Sequence, residues 1–198
     1  MTVLTLDDIA DLRAYERERD EFRAHVIELK KRRRVHLGEI VTLVFENRDT
    51  IRFQIQEMAR IEKLITDEAI QGELDTYNPL IPEPGQLSAT VFLELTSDAE
   101  LRTWLPKLVG IEQSLVLHAG EGDAAVAIRA VPEEGHAAQL TREEITSSVH
   151  YVRWELTADE VEAVARGPVA LAVDHAEYSQ RTELREDTTA ELLADLRG

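Results

Sequence analysis

Carboxylate and imidazole side chains recur on one predicted helix at a spacing that could hold a metal ion. Glu18, Glu21, His25 and Glu28 follow one another at intervals of three and four residues, which places them on one helix face. Such groups can coordinate iron, manganese or zinc. A di-iron bundle needs two Glu-x-x-His helices, whereas here the order is reversed and His25 precedes Glu28. The alternative is a solvated face that pairs with neighbouring arginines.

A second polar cluster interrupts an apolar helical stripe further along the chain. Four polar residues lie among isoleucines there: Gln54, Gln56, Glu57 and Arg60. Groups of this kind are costly to bury without partners. We expect them either to face solvent or to form an internal network with Arg19 and Arg23 of the first helix. The network would create a polar pocket between two helices, suited to a small anionic ligand or to a side chain of a partner.

The charge of the chain is unevenly distributed. Residues 1–60 hold 12 basic and 12 acidic side chains, whereas residues 61–198 hold 10 and 27, which accounts for the net charge of −17. Nine of the 22 basic residues lie between Arg13 and Arg34. They end in an unbroken run: Lys30, Lys31, Arg32, Arg33 and Arg34. This asymmetry indicates a basic helix that docks onto the acidic remainder or onto a partner.

The composition excludes several kinds of chemistry. Cysteine is absent, which removes disulfides, thiolate catalysis and cysteine-ligated metal sites. Phosphate-binding loops, dinucleotide fingerprints and the Gly-x-Ser-x-Gly elbow are missing. Asp174 followed by His175, at the end of a predicted strand, could supply a base, but the sequence points to no nucleophile beside it. We therefore lean towards a protein that is not an enzyme and expect no cofactor.

The same totals set expectations for partners and location. A net charge of −17 repels a polyanion, so nucleic acid is not an expected partner. The first residues lack the basic and apolar regions of a secretion signal. The longest apolar runs, such as residues 169–173, are too short to span a bilayer. We expect a soluble cytoplasmic protein with no membrane partner, and a homo-oligomer is compatible with the sequence.

Periodicity predicts helices in the N-terminal part. One helix is expected over residues 13–34 and another over residues 50–71, restarting at Thr66, with a strand at 39–45 between them. Over residues 50–56 the apolar side chains also alternate, so a hairpin remains the alternative there. A connector at 77–86 holds three of the six prolines and separates the two parts of the chain.

Short strands alternate with helices beyond the connector. Strands are predicted at 88–95, 114–118, 124–130, 148–156 and 169–173, with a hairpin signal at 120–123. Capping sequences begin helices at Ser97 and Thr157, and a last helix is predicted at 182–196. This order predicts an α+β fold. It has an N-terminal helical part with one strand (1–76), the connector (77–86), and a mixed, mostly antiparallel C-terminal sheet with helices on one side (87–198), packed as one compact unit.

Five strings of the chain resemble one bacterial family. They are RDEFR at 19–23, KKRR at 30–33, FENRDT at 45–50, FQIQEM at 53–58 and YNPLIP at 77–82, with weaker similarity at 87–90 and 174–178. The family is known as domain of unknown function 3501, and the resemblance covers nearly the whole chain. It implies no activity and no catalytic residue. It does imply an accessory role in redox or oxidative-stress chemistry, because genes of the family lie beside rubrerythrin-like and iron–sulfur oxidoreductase genes.

Three functions follow, in order of preference. The first is a cytosolic, non-catalytic accessory protein that binds a redox protein partner through the basic helix, with these docking residues: Arg19, Arg23, Lys30, Lys31, Arg32 and Arg33. The second is an enzyme or a protein that binds a small anionic ligand between the two N-terminal helices. The third is a metalloprotein that uses Glu21, His25 and Glu28 with further ligands from elsewhere.

Overall fold

The computed structural model describes residues 3–122, 125–133 and 144–198, and this part contains six α-helices and nine strands. The helices are α1 (Leu12–Arg33), α2 (Arg48–Glu62), α3 (Asp67–Tyr77), α4 (Asp98–Trp104), α5 (Ala158–Arg166) and α6 (Glu186–Arg197). The strands are β1 (Arg34–Leu37), β2 (Val41–Phe45), β3 (Gln86–Leu93), β4 (Leu115–Ala119), β5 (Val126–Arg129), β6 (Val131–Pro132), β7 (Val149–Glu155), β8 (Val169–His175) and β9 (Tyr178–Glu183). The predicted α+β fold class is confirmed.

The strands form two antiparallel sheets that are joined at both edges. One sheet has the order β1-β2-β3-β7-β6 and the other the order β5-β4-β8-β9. Only Ala130 separates β5 from β6, so the chain passes there from one sheet into the other. At the opposite edge, the Tyr178 hydroxyl donates to the Leu37 carbonyl at 2.7 Å, and Thr182 donates to the His36 carbonyl at 2.7 Å.

Side chains from both sheets enclose one apolar core. In β7, His150, Val152 and Trp154 are buried while the residues between them are half-buried, which is the alternation of a strand with one face on the core. The buried cluster also takes Leu43 from β2 and Leu171 from β8. Helices lie against both sheets, since α1 contacts β2 and α5 contacts β4.

The connector joins two parts of the chain that share a sheet. Strand β2 pairs with β3 from Val41 opposite Leu93 to Phe45 opposite Ala89, so residues on both sides of the connector belong to one hydrogen-bonded ladder. The connector itself packs down, because Leu80 and Ile81 are buried in a second apolar cluster beneath α2 and α3.

Several element boundaries differ from the sequence prediction. Residues 50–56 are helical, so the hairpin alternative is wrong there. The predicted helix over 50–71 breaks at Lys63, whose φ of 57° is left-handed, and α3 begins at Asp67 with Thr66 as its N-cap, which agrees with the predicted restart at Thr66. The last helix begins at Glu186 rather than 182, because residues 178–183 form β9. The hairpin signal at 120–123 and the strand start at 124 fall partly outside the described residues.

Three of the described strands have no counterpart in the prediction: β1, β6 and β9. The burial of β1 alternates, but it begins within the basic run, where the helical pattern was extended to Arg34. In β9 no residue is fully buried, so the strand lacks the apolar alternation that marks most strands. Among the described residues, no helix combines the length and apolar character needed to cross a bilayer.

Candidate functional site

Helices α1 and α2 pack along a seam that brings together three of the predicted site residues, Arg19, Glu57 and Arg60. Helix α2 begins at a capping box, in which the Asn47 side chain accepts from the Thr50 amide at 3.0 Å and the Thr50 hydroxyl accepts from the Asn47 amide at 2.9 Å. The fixed start sets the rotation of the helix. It turns Phe53, Glu57 and Arg60 towards α1, since these positions share one face.

Glu57 is held by three side chains from the two helices. The Tyr15 hydroxyl donates to its Oε1 at 2.9 Å, and Arg19 donates to both carboxylate oxygens at 2.8 and 3.0 Å. Arg60 adds two longer bonds of 3.3 and 3.2 Å. The Arg19 hydrogen bonds, with those from Arg60 and Tyr15, lower the pKa of Glu57 to about 2. Glu57 is therefore ionised near neutral pH and clasps the two helices together.

Aromatic and ionic contacts fill the rest of the seam. The Phe22 ring meets Phe53 edge-on, with centroids 5.8 Å apart, and the Arg52 guanidinium lies 4.8 Å from the Phe22 centroid. His25 Nε2 lies 3.0 Å from Asp49 Oδ2. The charged side chains of the seam therefore pair largely with one another.

The metal candidates do not converge. Glu28 is 2.6 Å from Lys31, whereas His25 faces Asp49 across the seam and Glu21 is exposed. The described residues contain no group of three or more histidine, cysteine or carboxylate side chains placed to hold a metal ion. The metalloprotein interpretation therefore gains no ligand set from the described part of the chain.

The basic end of α1 binds the acidic face of α6. Arg33 is 2% exposed, and its guanidinium forms two hydrogen bonds to the Asp195 carboxylate, at 2.6 and 3.0 Å. It also reaches Glu191 at 3.1 Å, and Arg32 donates to Glu191 at 2.7 Å. Arg32 and Arg33, two of the predicted docking residues, therefore pair with acidic side chains of the same chain. Docking through the basic helix stays a prediction, with fewer free cations than the sequence suggested.

The remaining predicted site residues are scattered. Gln56 is fully buried and clamps the segment before α1, because it accepts from the Ala10 amide at 2.7 Å and donates to the Ala10 carbonyl at 3.1 Å. Arg23 is exposed, Gln54 is half-buried, and the Lys30 ammonium lies 6.0 Å from the Phe53 centroid. The structure thus gathers Arg19, Glu57 and Arg60 but places the other residues elsewhere.

The Asp174-His175 pair ends β8, just before the turn into β9. His175 Nε2 lies 3.1 Å from the Val109 carbonyl, and its Nδ1 accepts from the Glu177 amide at 3.2 Å. Asp174 lies 3.6 Å from Arg129 instead. Both ring nitrogens therefore hold the turn in place.

A buried histidine on β7 also has partners within the chain. His150 Nε2 lies 2.9 Å from the Thr146 hydroxyl and 3.0 Å from the Ser147 carbonyl, and its Nδ1 is 3.9 Å from Glu112. Burial lowers the pKa of His150. Because His150 and Glu112 are 2% and 5% exposed, this pair packs within the fold rather than opening onto its surface.

An exposed apolar surface lies where α2 ends, and sequence reasoning missed it. The helical stripe begins with Ile51 and Ile55, which are buried, but Ile61 in the last turn of the helix is 64% exposed, and Ile65, beyond the end of the helix at Glu62, is 83% exposed. Ile65 lines a cavity of about 320 Å³. Its aliphatic wall is formed by Leu6, Ile9, Leu12, Leu64, Ile65 and Ile70. We call this surface, together with Ile61, the isoleucine groove.

The fold and the site define the class of protein. It is an α+β protein with two joined antiparallel sheets, packed against helices whose charged side chains largely bind one another. The chain belongs to the family described as "Protein of unknown function (DUF3501)", which it matches over residues 3–196. This confirms the family resemblance seen in the sequence.

A solved structure is similar to this chain in both sequence and fold. It is the crystal structure of a novel protein of unknown function from Burkholderia pseudomallei K96243, which is 37% identical to this chain. The match covers 98% of this chain and 100% of the other, with a TM-score of 0.89. Among curated proteins, none is similar to this chain.

Proposed function

We propose that the protein is a cytoplasmic, non-catalytic accessory protein that binds a redox protein partner at the isoleucine groove. The observation that carries the proposal is an aliphatic cavity lined by Ile65, which is 83% exposed, close in sequence to Ile61, which is 64% exposed in the last turn of α2. Exposed aliphatic side chains around a cavity, on a protein of high net charge, favour the binding of another molecule there. Water is excluded from such a surface when a partner covers it, which favours association.

The state of the charged groups supports binding rather than catalysis. A general acid or base has to be free to exchange a proton with a substrate. Glu57 is ionised and held by three donors, and both nitrogens of His175 hold a turn. Binding of an anionic ligand at the seam between α1 and α2 stays a prediction. Arg19 and Arg60, which would bind such a ligand, already pair with the Glu57 carboxylate.

The kind of partner is proposed from the family resemblance. The resemblance implies that genes of the family are often found beside rubrerythrin-like and iron–sulfur oxidoreductase genes, so a protein of one of these two types is the proposed partner. An accessory protein of this kind would act in redox or oxidative-stress chemistry without carrying a cofactor of its own.

Titration calorimetry with purified proteins tests the proposal. The rubrerythrin-like and iron–sulfur proteins encoded by the same genome are each titrated with this protein, and we expect at least one to bind. The double variant Ile61→Ser, Ile65→Ser should weaken that binding about tenfold, because each exposed isoleucine contributes apolar area to the interface. If neither protein binds when it is folded and loaded with its cofactor, the proposal of a redox partner is rejected.

A second variant tests the docking surface predicted from the sequence. Arg23→Glu with Lys31→Glu reverses two exposed cations of α1 and leaves the buried Arg33 in place. We expect this variant to bind nearly as well as the wild type if the groove is the interface. A greater loss than that of the isoleucine variant would instead assign docking to the basic helix.

A further inference from the structure

We infer that the isoleucine groove takes one amphipathic helix of the partner, with its apolar face flanked by lysine or arginine. This inference rests on the proposed function and gives the chemistry of the segment that binds. It follows from the shape of the groove, from the charges around it and from the net charge of the whole chain.

The shape of the groove suits a helix. Its walls come from the segment before α1, the end of α2 and the start of α3, so they are helices and turns and not the open edge of a sheet. An extended peptide that adds a strand needs such an edge, whereas a helix needs only an apolar groove for side chains at i, i+3 or i+4 and i+7. The volume of about 320 Å³ lies near the lower limit of ligand pockets, about 300 Å³. It therefore suits a few aliphatic side chains.

The surroundings of the groove are acidic. Asp11 and Asp67 line it together with Arg13. The neighbouring segments add exposed charges, of which three are acidic and one is basic: Asp7, Glu62, Glu68 and Lys63. Acidic groups therefore outnumber basic ones around an aliphatic floor. Basic residues beside the apolar face of the partner helix would complement this field and guide its approach.

Two helices start at the groove, and their positive ends are neutralised by the chain itself. The Asp11 side chain accepts from the Ala14 amide at 2.8 Å at the start of α1, and the Thr66 hydroxyl accepts from the Ala69 amide at 3.3 Å at the start of α3. Asp67 and Glu68 add negative charge in the first turn of α3. A free anion therefore finds little attraction at this surface.

A second copy of the chain fits the groove poorly. A two-fold interface would place one acidic rim against another, between molecules that each carry a net charge of −17. Stable interfaces bury about 1,200–2,000 Å² in total, whereas the exposed isoleucines here flank one small cavity. The charges thus favour a basic partner over self-association.

Fluorescence anisotropy with a synthetic peptide tests the inference. The probe is a labelled helical peptide with leucine on one face and lysine on the other, and its control carries glutamate in place of every lysine. We expect the lysine peptide to bind the wild-type protein and the glutamate peptide to bind about tenfold more weakly or not at all. Added salt should weaken the lysine complex, since the rim charges are exposed.

Matched variants locate the binding. Ile61→Ser with Ile65→Ser should weaken peptide binding about tenfold, and the fold should survive because both side chains are exposed. Val131→Ser is the control, since Val131 is 53% exposed on β6, and it should bind as the wild type does. Equal binding by wild type and double variant, or equal binding of the two peptides, would overturn the inference.

Other occupants give different results. If the wild type sediments as a dimer and the double isoleucine variant as a monomer, a second copy fills the groove and the inference is overturned. If inorganic phosphate displaces the lysine peptide at constant ionic strength, the groove is an anion site and the inference is again overturned. Binding of the peptide at the groove without binding of either redox protein would reject the proposed function and leave the helix inference standing.

Discussion

Glu57 accepts hydrogen bonds from a tyrosine and two arginines that come from both helices of the seam. A carboxylate in this position costs free energy to desolvate, and each charged hydrogen bond offsets part of that cost. Tyr15, which is fully buried, depends on Glu57 as the acceptor for its hydroxyl. Removal of the Glu57 carboxylate would therefore leave the Tyr15 hydroxyl and two arginines without a strong acceptor.

Replacement of Glu57 should destabilise the protein more than replacement of a neighbouring acid. We expect Glu57→Gln to lower the free energy of unfolding by about 2 kcal/mol, because the remaining amide oxygen is uncharged and serves fewer donors. Glu16→Gln is the matched control, since Glu16 is 57% exposed and 3.9 Å from Arg60, and its effect should stay within about 0.5 kcal/mol. Equal effects in urea unfolding would contradict the role assigned to Glu57.

The contribution of Glu57 should also depend on pH. Its pKa is about 2 in the folded protein against an ordinary value of 4.5, so folding favours the ionised form. The stabilisation is complete above the ordinary value and is lost as the pH falls from 4.5 towards 2. The difference in unfolding free energy between wild type and Glu57→Gln should therefore shrink over that interval, and a constant difference would contradict the ionic clasp.

At the scale of elements, the end of α1 is anchored to α6 by a buried ion pair. Arg33 and Asp195 have side chains that are 2% and 9% exposed. Their pairing explains why the basic run is not a free surface. A run of like charges in a sequence does not reveal a partner that lies 162 residues away along the chain.

Removal of one member of this pair should be costly. We expect Asp195→Ala to lower the free energy of unfolding by about 3–5 kcal/mol, because it leaves the Arg33 charge buried without its main partner. Glu28→Ala is the control, since Glu28 and Lys31 form a pair in which both side chains are more than 60% exposed, and it should change stability by less than about 1 kcal/mol. Similar losses for the two variants in thermal unfolding would show that burial of the pair is unimportant.

Local chemistry explains which elements could be predicted. Ser97 and Thr157 begin helices through capping boxes, because the interacting groups lie within three residues of each other. The strands of the core were predicted from apolar runs. The polar strand β9 and the ladder between β2 and β3 depend on neighbours that are distant in sequence, which a periodic pattern does not contain.

The same contrast holds for the site. The network around Glu57 was one of two outcomes expected for the polar residues of α2. The isoleucine groove was missed because Ile61 and Ile65 continue the spacing of a buried stripe, and the pattern shows neither that Ile61 is exposed nor that the helix ends before Ile65.

At the scale of the whole molecule, the two sheets are joined by contacts at the β1–β2 turn. The Tyr178 hydroxyl donates to the Leu37 carbonyl at 2.7 Å and accepts from the Ile40 amide at 3.3 Å. Gly38 sits between these residues with a φ of 72°, a conformation that glycine adopts readily. A methyl group added to Gly38 would collide with the Tyr178 hydroxyl.

A double-mutant cycle tests this junction. Tyr178→Phe should cost about 1 kcal/mol by removing two hydrogen bonds, and Gly38→Ala should cost about 2 kcal/mol or more through left-handed strain and the collision. In the Tyr178→Phe background the collision with the Tyr178 hydroxyl is relieved. The loss of stability caused by Gly38→Ala should therefore be smaller than in the wild type by at least about 0.5 kcal/mol. Strict additivity of the two losses in urea unfolding would show that the turn and the tyrosine are not coupled.

The distribution of charge and apolar surface over the molecule leads to the central claim, that the isoleucine groove is where a partner binds. Hydrogen–deuterium exchange of this protein, with and without the purified redox partner, tests it most directly. We predict slower exchange in the complex at residues 6–13 and 59–70, which form the walls of the groove. Protection confined to residues 30–34 at the basic end of α1, with unchanged exchange at the groove, would contradict the account.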